Sequence, residues 1–316
     1  MFTILVQNHL QLLNGNKPTM ENKYFLEHKI KTAADFESAG KFLHALQIYK
    51  NLIEEFPDEL DPYFNLVNLY EKLNNANAAG TLLKDLLEEH PDSLDIRLFT
   101  GQFFLRNKRW NDAIDILSII SPEEEPIVSF FLGYSHFMLN EFELAKVNFV
   151  NFIAVENKSE LYHEALIYLA KIEIELGNFA KALELTSTAL GIYSNNWELY
   201  LVTAIAFYNL GMFAHAVNSI YQALKLNEKD LSVNEWAGKI YFKSADYLKA
   251  EKFFLYVIEH QDEASPDIYN SIAEACLNSK KAEDALRYYQ QALKLDPNNK
   301  KAYEGMKNAA SLQNQN

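Results

Sequence analysis

The sequence predicts an all-α fold, an α-solenoid of about eight helix-turn-helix units, on three observations. Apolar residues recur at spacings of three and four in paired runs, as two amphipathic helices per unit require. An alanine returns at one fixed place in every unit: Ala45, Ala79, Ala113, Ala145, Ala182, Ala216, Ala250 and Ala285. Only 10 Gly and 8 Pro occur in 316 residues, too few for a fold of many tight hairpin turns.

The last unit is the clearest. On a 34-residue frame from Pro266, the residues Tyr269, Ile272, Ala273, Cys276, Ala285, Tyr289, Ala292 and Pro297 take unit positions 4, 7, 8, 11, 20, 24, 27 and 32. The eight units start at 26, 60, 94, 126, 163, 197, 231 and 266, so successive steps are 34, 34, 32, 37, 34, 34 and 35 residues. The unit from Trp197, for example, repeats the pattern with Tyr200, Ala204, Phe207, Gly211, Ala216, Ile220 and Ala223.

Small residues at positions 8 and 20 fall where paired helices come close, and a larger side chain there would push the axes apart. Large residues at 4, 11 and 24 fill the space between neighbours. Gly40, Asn74, Gly177 and Gly211 break the chain between the two helices, and Pro57, Pro91 and Pro297 end second helices, because proline cannot continue the ladder. No unit can bury both faces alone, so stability is shared between neighbours. The short step into Pro126 and the long one after Asn157 read either as loop variation or as a local change of superhelical pitch.

On these residues the chain resembles the tetratricopeptide repeat family over roughly residues 26–299. The resemblance implies a right-handed superhelix whose first helices line a concave face through unit positions 2, 5, 9, 12 and 13. It also implies a protein that holds a partner protein rather than a catalyst.

Residues 1–25 form an N-terminal extension. Its apolar part, Met1 to Leu13, reads as a short capping helix or as sequence upstream of a natural start at Met20, where Thr19 can cap a helix. It has no basic residue ahead of the apolar run and no convincing cleavage site, so a secretory signal is not expected. Residues 300–316 read as a C-terminal capping helix and a frayed tail.

With 29 basic and 43 acidic residues the net charge is −14, which repels phosphate backbones and argues against nucleic acid as the ligand. No run approaches ~18–20 consecutive apolar residues, so no membrane span is expected. The single cysteine, Cys276, forbids an intramolecular disulfide and a thiolate zinc cluster, and is compatible with a reducing cytoplasm. No cofactor or metal is expected. The eight histidines form no metal-ligand spacing, and no phosphate loop or nucleophile turn is present. His136 and Cys276, both at unit position 11, read as core.

Reading the inner positions along the chain shows a change of character. The first three units are polar there (Glu27, Glu37; Asp61, Asn68, Glu71, Lys72; Asp95, Gln102, Arg106), with Phe64 and Leu105 as exceptions. The middle units are apolar and aromatic: Phe130, Tyr134, Phe137 and Met138; Ile167, Lys171 and Ile174; Leu201, Ile205 and Tyr208; Trp236, Lys239, Phe242 and Lys243. The eighth unit is polar again. An apolar strip with aromatic anchors has the composition of a protein-binding surface. Self-packing under tight superhelical winding is the competing reading. A lysine and asparagine one turn apart would clasp a terminal carboxylate in this family; Asn68 fits, but Phe64 stands where the lysine is needed.

The acidic residues at position 2 (Glu27, Asp61, Asp95, Glu164, Glu198 and Asp267) oppose the helix macrodipole usefully. Together these readings give a soluble adaptor whose groove takes an apolar helix or extended segment of another protein, with Lys171, Lys239 and Lys243 pairing with acidic flanks of that ligand. The alternatives are a self-assembling homo-oligomeric scaffold and a regulatory subunit of a larger complex.

Overall fold

The computed structural model describes residues 20–156 and 159–313. Residues 1–19, with Thr19 and the apolar Met1–Leu13 segment, lie outside the described residues. Among the described residues there are seventeen α-helices and no strand. The chain divides into two compact units, Met1–Val155 and Glu156–Asn316. The division falls within the lengthened 37-residue step.

The first unit holds four helical hairpins, α1 (Met20–Ser38) with α2 (Phe42–Glu55), α3 (Leu60–Lys72) with α4 (Ala76–Glu89), α5 (Leu94–Arg106) with α6 (Trp110–Leu117), and α7 (Ile127–Met138) with α8 (Phe142–Val155). The second holds α9 (Glu160–Glu175) with α10 (Phe179–Ile192), α11 (Trp197–Asn209) with α12 (Phe213–Leu226), α13 (Leu231–Lys243) with α14 (Tyr247–His260), and α15 (Pro266–Asn278) with α16 (Ala282–Leu295). The last helix, α17 (Lys300–Gln313), follows alone. First helices also touch the next first helix, as α5 does α7, α9 does α11 and α11 does α13, which makes them the inner layer of each unit.

One turn closes all eight hairpins. Its left-handed residue is Gly40, Asn74, Lys108, Asn140, Gly177, Gly211, Ala245 or Lys280, at φ between 55° and 76°. The next residue's N–H reaches back to the carbonyl of unit position 11, for example Lys41 to Phe36 at 2.8 Å and Asp246 to Tyr241 at 3.0 Å. This six-to-one bond satisfies carbonyls that the helix end leaves open. A Cβ in that conformation costs about 1–2 kcal/mol. Ala245→Gly is therefore expected to raise stability by about 1 kcal/mol in urea unfolding, and a loss would show that the turn is held by something other than its backbone.

The core sits between the helices of each hairpin. All eight position-20 alanines are fully buried, and so are the large position-24 residues opposite, such as Tyr49, Phe149 and Ile220. N-caps follow the expected chemistry, with Ser93, Ser159, Asn196, Asp230 and Ser265 side chains accepting first-turn N–H groups. The short α6 gives way at Ser118 to a turn through Ile120 and Ser121, which accounts for the shortened step. Cys276 is buried, and burial followed by the charge of Glu251 pushes its thiol up to about 12, so it is a core residue. His136 is packed to 13% side-chain exposure with Nδ1 2.6 Å from Glu141.

Candidate functional site: the inner faces of the two units

In the first unit the inner aromatic residues of α7 separate into two kinds. Phe130 is completely buried, with its ring 5.5 Å from Phe149 and 5.4 Å from Phe152, edge-on to both. It is core, which corrects its assignment to the groove. Gly133 has no side chain to hold the second helix away, and a Cβ there would lie 3.1 Å from the Phe149 ring, so α8 closes over Phe130. Tyr134 is half-buried against Trp110 at 5.6 Å, Phe137 against Phe142 at 6.0 Å, and Met138 is exposed. Phe64 is stacked on Phe99 at 4.0 Å and buried.

In the second unit Ile167 and Leu201 are also buried, at 7% and 9% exposure. They too are corrected from groove to core, because position 5 of a first helix turns toward the adjacent helix rather than outward. Ile174, Ile205, Tyr208, Trp236 and Phe242 are half-buried and share the inner faces of α9, α11 and α13. Tyr208 stands edge-on between Phe213 at 5.9 Å and Trp236 at 5.5 Å, and burial raises its hydroxyl pKa. Phe242 meets Tyr247 at 5.4 Å.

A recurrent geometry emerges that spacing alone did not reveal. Position 12 of the first helix meets position 17, the opening residue of the second, in Phe137–Phe142, Tyr208–Phe213 and Phe242–Tyr247. Each edge-on pair holds its inner ring beside the hairpin turn at little entropic cost.

The basic residues are mostly committed. Lys171 binds Glu198 at 2.5 Å, and Lys239 binds Glu235 at 2.6 Å while its Nζ lies 4.6 Å from the Trp236 ring centroid. This corrects the expectation that three lysines await an acidic ligand; Lys243 alone of the three has no ion-pair partner among the described residues. Charges on the inner layer link successive first helices. Glu37 takes Lys72 at 2.5 Å and the Tyr49 hydroxyl at 2.8 Å, Glu71 takes Arg106 at 2.7 Å and the Asn107 amide at 2.7 Å, and Glu274 takes Lys301 at 3.0 Å.

The position-2 acids are less comfortable than the macrodipole reading implies. Burial raises the Asp95 carboxyl; burial and then the charge of Glu198 raise that of Glu164. A carboxyl whose folded pKa exceeds its unfolded value opposes folding above that pKa and stops doing so as pH falls through it. Asp95→Asn is therefore expected to melt above the wild type near pH 7, the gap closing toward about pH 4. A lower melting temperature near neutrality would show that the dipole outweighs burial.

One surface had no signal in the repeat frame: Leu144, Val147, Val150 and Val155 stand out of α8 at 45–67% exposure. A helix of 14 residues offers a footprint of only about 21 by 10 Å. That is far below the ~800 Å² per partner of a stable interface.

Consecutive helical hairpins with a layer of first helices in each unit define a helical-repeat protein. Residues 37–92 and 266–299 match tetratricopeptide repeat models, so the chain carries tetratricopeptide repeats in those two segments. TPR repeat-containing protein YpiA of Bacillus subtilis (strain 168) is 25% identical over 142 residues, covering 45% of this chain and 33% of that relative. The structure is similar to a chain of the APC/C hetero-tetramer Cut9-Hcn1 (TM-score 0.61, 20% identity, 85% of this chain and 52% of that one). It is also similar to PilW, a type IV pilus biogenesis factor (TM-score 0.58, 13% identity, 66% and 96%). The chain thus spans a third of YpiA and about half of the Cut9-Hcn1 chain, and structural likeness at these identities bears on fold alone. No described helix is long and apolar enough to cross a membrane.

Proposed function

We propose that the protein is a non-catalytic scaffold that holds an apolar helix or extended segment of a partner protein against the inner face of its second unit. The observation that carries this reading is the set of half-buried apolar residues Ile174, Ile205, Tyr208, Trp236 and Phe242 on α9, α11 and α13, with Tyr208 edge-on to Trp236 and Phe242 edge-on to Tyr247. Aromatic anchors held by their own scaffold lose little entropy on contact. Lys243 at the end of the strip favours a single acidic residue flanking the bound segment. The division into eight repeats over residues 26–299 with a cap beyond Lys300 belongs to the same proposal.

The test is to select peptides against the immobilised protein and compare their affinity for wild type and Ile205→Glu. Ile205 is half-buried and packs on the core of the second unit, so circular dichroism must first show that the variant keeps its helices. Apolar, aromatic-rich peptides are expected, with affinity for the folded variant falling at least about tenfold, or roughly 1.4 kcal/mol. Retained affinity in a folded Ile205→Glu protein would move the binding surface elsewhere.

A further inference from the structure

In the first unit, positions 12 and 13 of neighbouring first helices answer one another. Glu37 at position 12 of α1 takes Lys72 at position 13 of α3 at 2.5 Å, and Glu71 at position 12 of α3 takes Arg106 at position 13 of α5 at 2.7 Å. Each cation in that register is neutralised by the helix before it. In the second unit the first helices α9, α11 and α13 also lie side by side. Their position-12 residues are Ile174, Tyr208 and Phe242, half-buried and without a carboxylate. Position 13 carries Glu175 on α9, Asn209 on α11, Lys243 on α13 and Asn278 on α15.

The two amides are turned onto their own helices, Asn209 Nδ2 donating to the Ile205 carbonyl and Asn278 Nδ2 to the Glu274 carbonyl, both at 2.8 Å. Glu175 and Lys243 are exposed, and neither has an ion-pair partner among the described residues. They do not serve each other. Two steps between neighbouring first helices, at about 10 Å each, separate them by about 20 Å, well beyond the ~8 Å over which exposed charges act at physiological salt. The lysines at position 9 are already answered, Lys171 by Glu198 and Lys239 by Glu235. The row of Ile174, Tyr208 and Phe242 is therefore flanked by an unanswered acid on α9 and an unanswered base on α13.

We propose that the segment held by the second unit is bipolar, with a basic residue on Glu175 and an acidic residue on Lys243, and so lies across Ile174, Tyr208 and Phe242 in one direction only. The inference rests on the reading of this face as the partner surface. The separation sets the spacing of the two charges, about six residues in an extended segment or about thirteen in a helix. Their main effect is on orientation, since exposed ion pairs contribute little while like charges brought together are costly.

Peptides selected against the full chain test it. The recovered apolar sequences are expected to carry Lys or Arg at one end and Asp or Glu at the other, in one constant order. One such peptide should bind Lys243→Glu about tenfold more weakly, and exchanging its acidic residue for lysine should restore the affinity. Exchanging its basic residue for glutamate should rescue Glu175→Lys and not Lys243→Glu. Both positions are exposed, and circular dichroism checks that each variant is folded. Both charge orders among the peptides, equal affinity for wild type and the two charge variants, or one exchange rescuing both variants overturns the inference. If binding is still lost in folded Ile205→Glu, the partner surface stands without it. No recovered peptide, or peptides indifferent to Ile205→Glu, overturns that surface and the inference together.

Discussion

Phe130→Ala is expected to lower stability by about 3–5 kcal/mol, the range for truncating a fully buried phenylalanine, and to lower the melting temperature by on the order of 10 °C. The loss has two parts. The ring's burial among Phe131, Phe149 and Phe152 is forfeited, and the space left is bounded by helices that relax only partly. Repeat proteins pass stability between neighbours, so the effect should concentrate in α5–α8, as hydrogen exchange resolved by element would show. If the variant melted like wild type but lost a partner, Phe130 would be a groove residue after all and its burial would have to open on binding.

Gly238→Ala should also destabilise, although glycine to alanine within a helix ordinarily gains about 1 kcal/mol. The deciding magnitude is steric. A Cβ on Gly238 would lie 2.4 Å from the ring of Phe254, which is itself buried at 2% exposure. Overpacking costs about 1–3 kcal/mol against that gain of about 1, so the net change is a loss of up to about 2 kcal/mol by urea unfolding. Phe254→Leu introduced with Gly238→Ala should recover part of it, since the pair then shares one volume. Gly80→Ala in α4 is the control. Nothing lies within 4 Å of its Cβ position, and it should gain up to about 1 kcal/mol. Equal gains at both sites would disprove the close approach of α13 and α14.

The same two positions show how far the residues alone carry the argument. Position 8 is small and position 24 large in most units, and that alternation is a packing statement readable without coordinates. The hairpins, their inner first helices and their closing turns follow from local rules: a 3.6-residue period, an alanine where axes approach, a residue able to turn left-handed. Lys108, Ala245 and Lys280 adopt the left-handed turn despite their side chains, so the turn residue alone would not have marked these three hairpins.

The inner face was less readable. Phe130 and Tyr208 look equivalent in a list of inner positions, yet one is sealed by Phe149 and Phe152 and the other keeps an open edge between Phe213 and Trp236. The difference depends on Gly133, three residues away, letting a second helix descend. Lys171 and Lys239 read as free cations until Glu198 and Glu235 are found beside them. Each of these facts joins residues of different helices or depends on where a ring finds room.

By itself, then, the sequence determined the class of fold, the helical period, the pairing of helices and the apolar character of the middle inner faces, because each is set by neighbours close along the chain. The tertiary structure alone decided which inner side chains remain open, which lysines are already paired, and where the chain divides into two units. Those outcomes depend on packing volume and charge distance between helices that meet only in three dimensions.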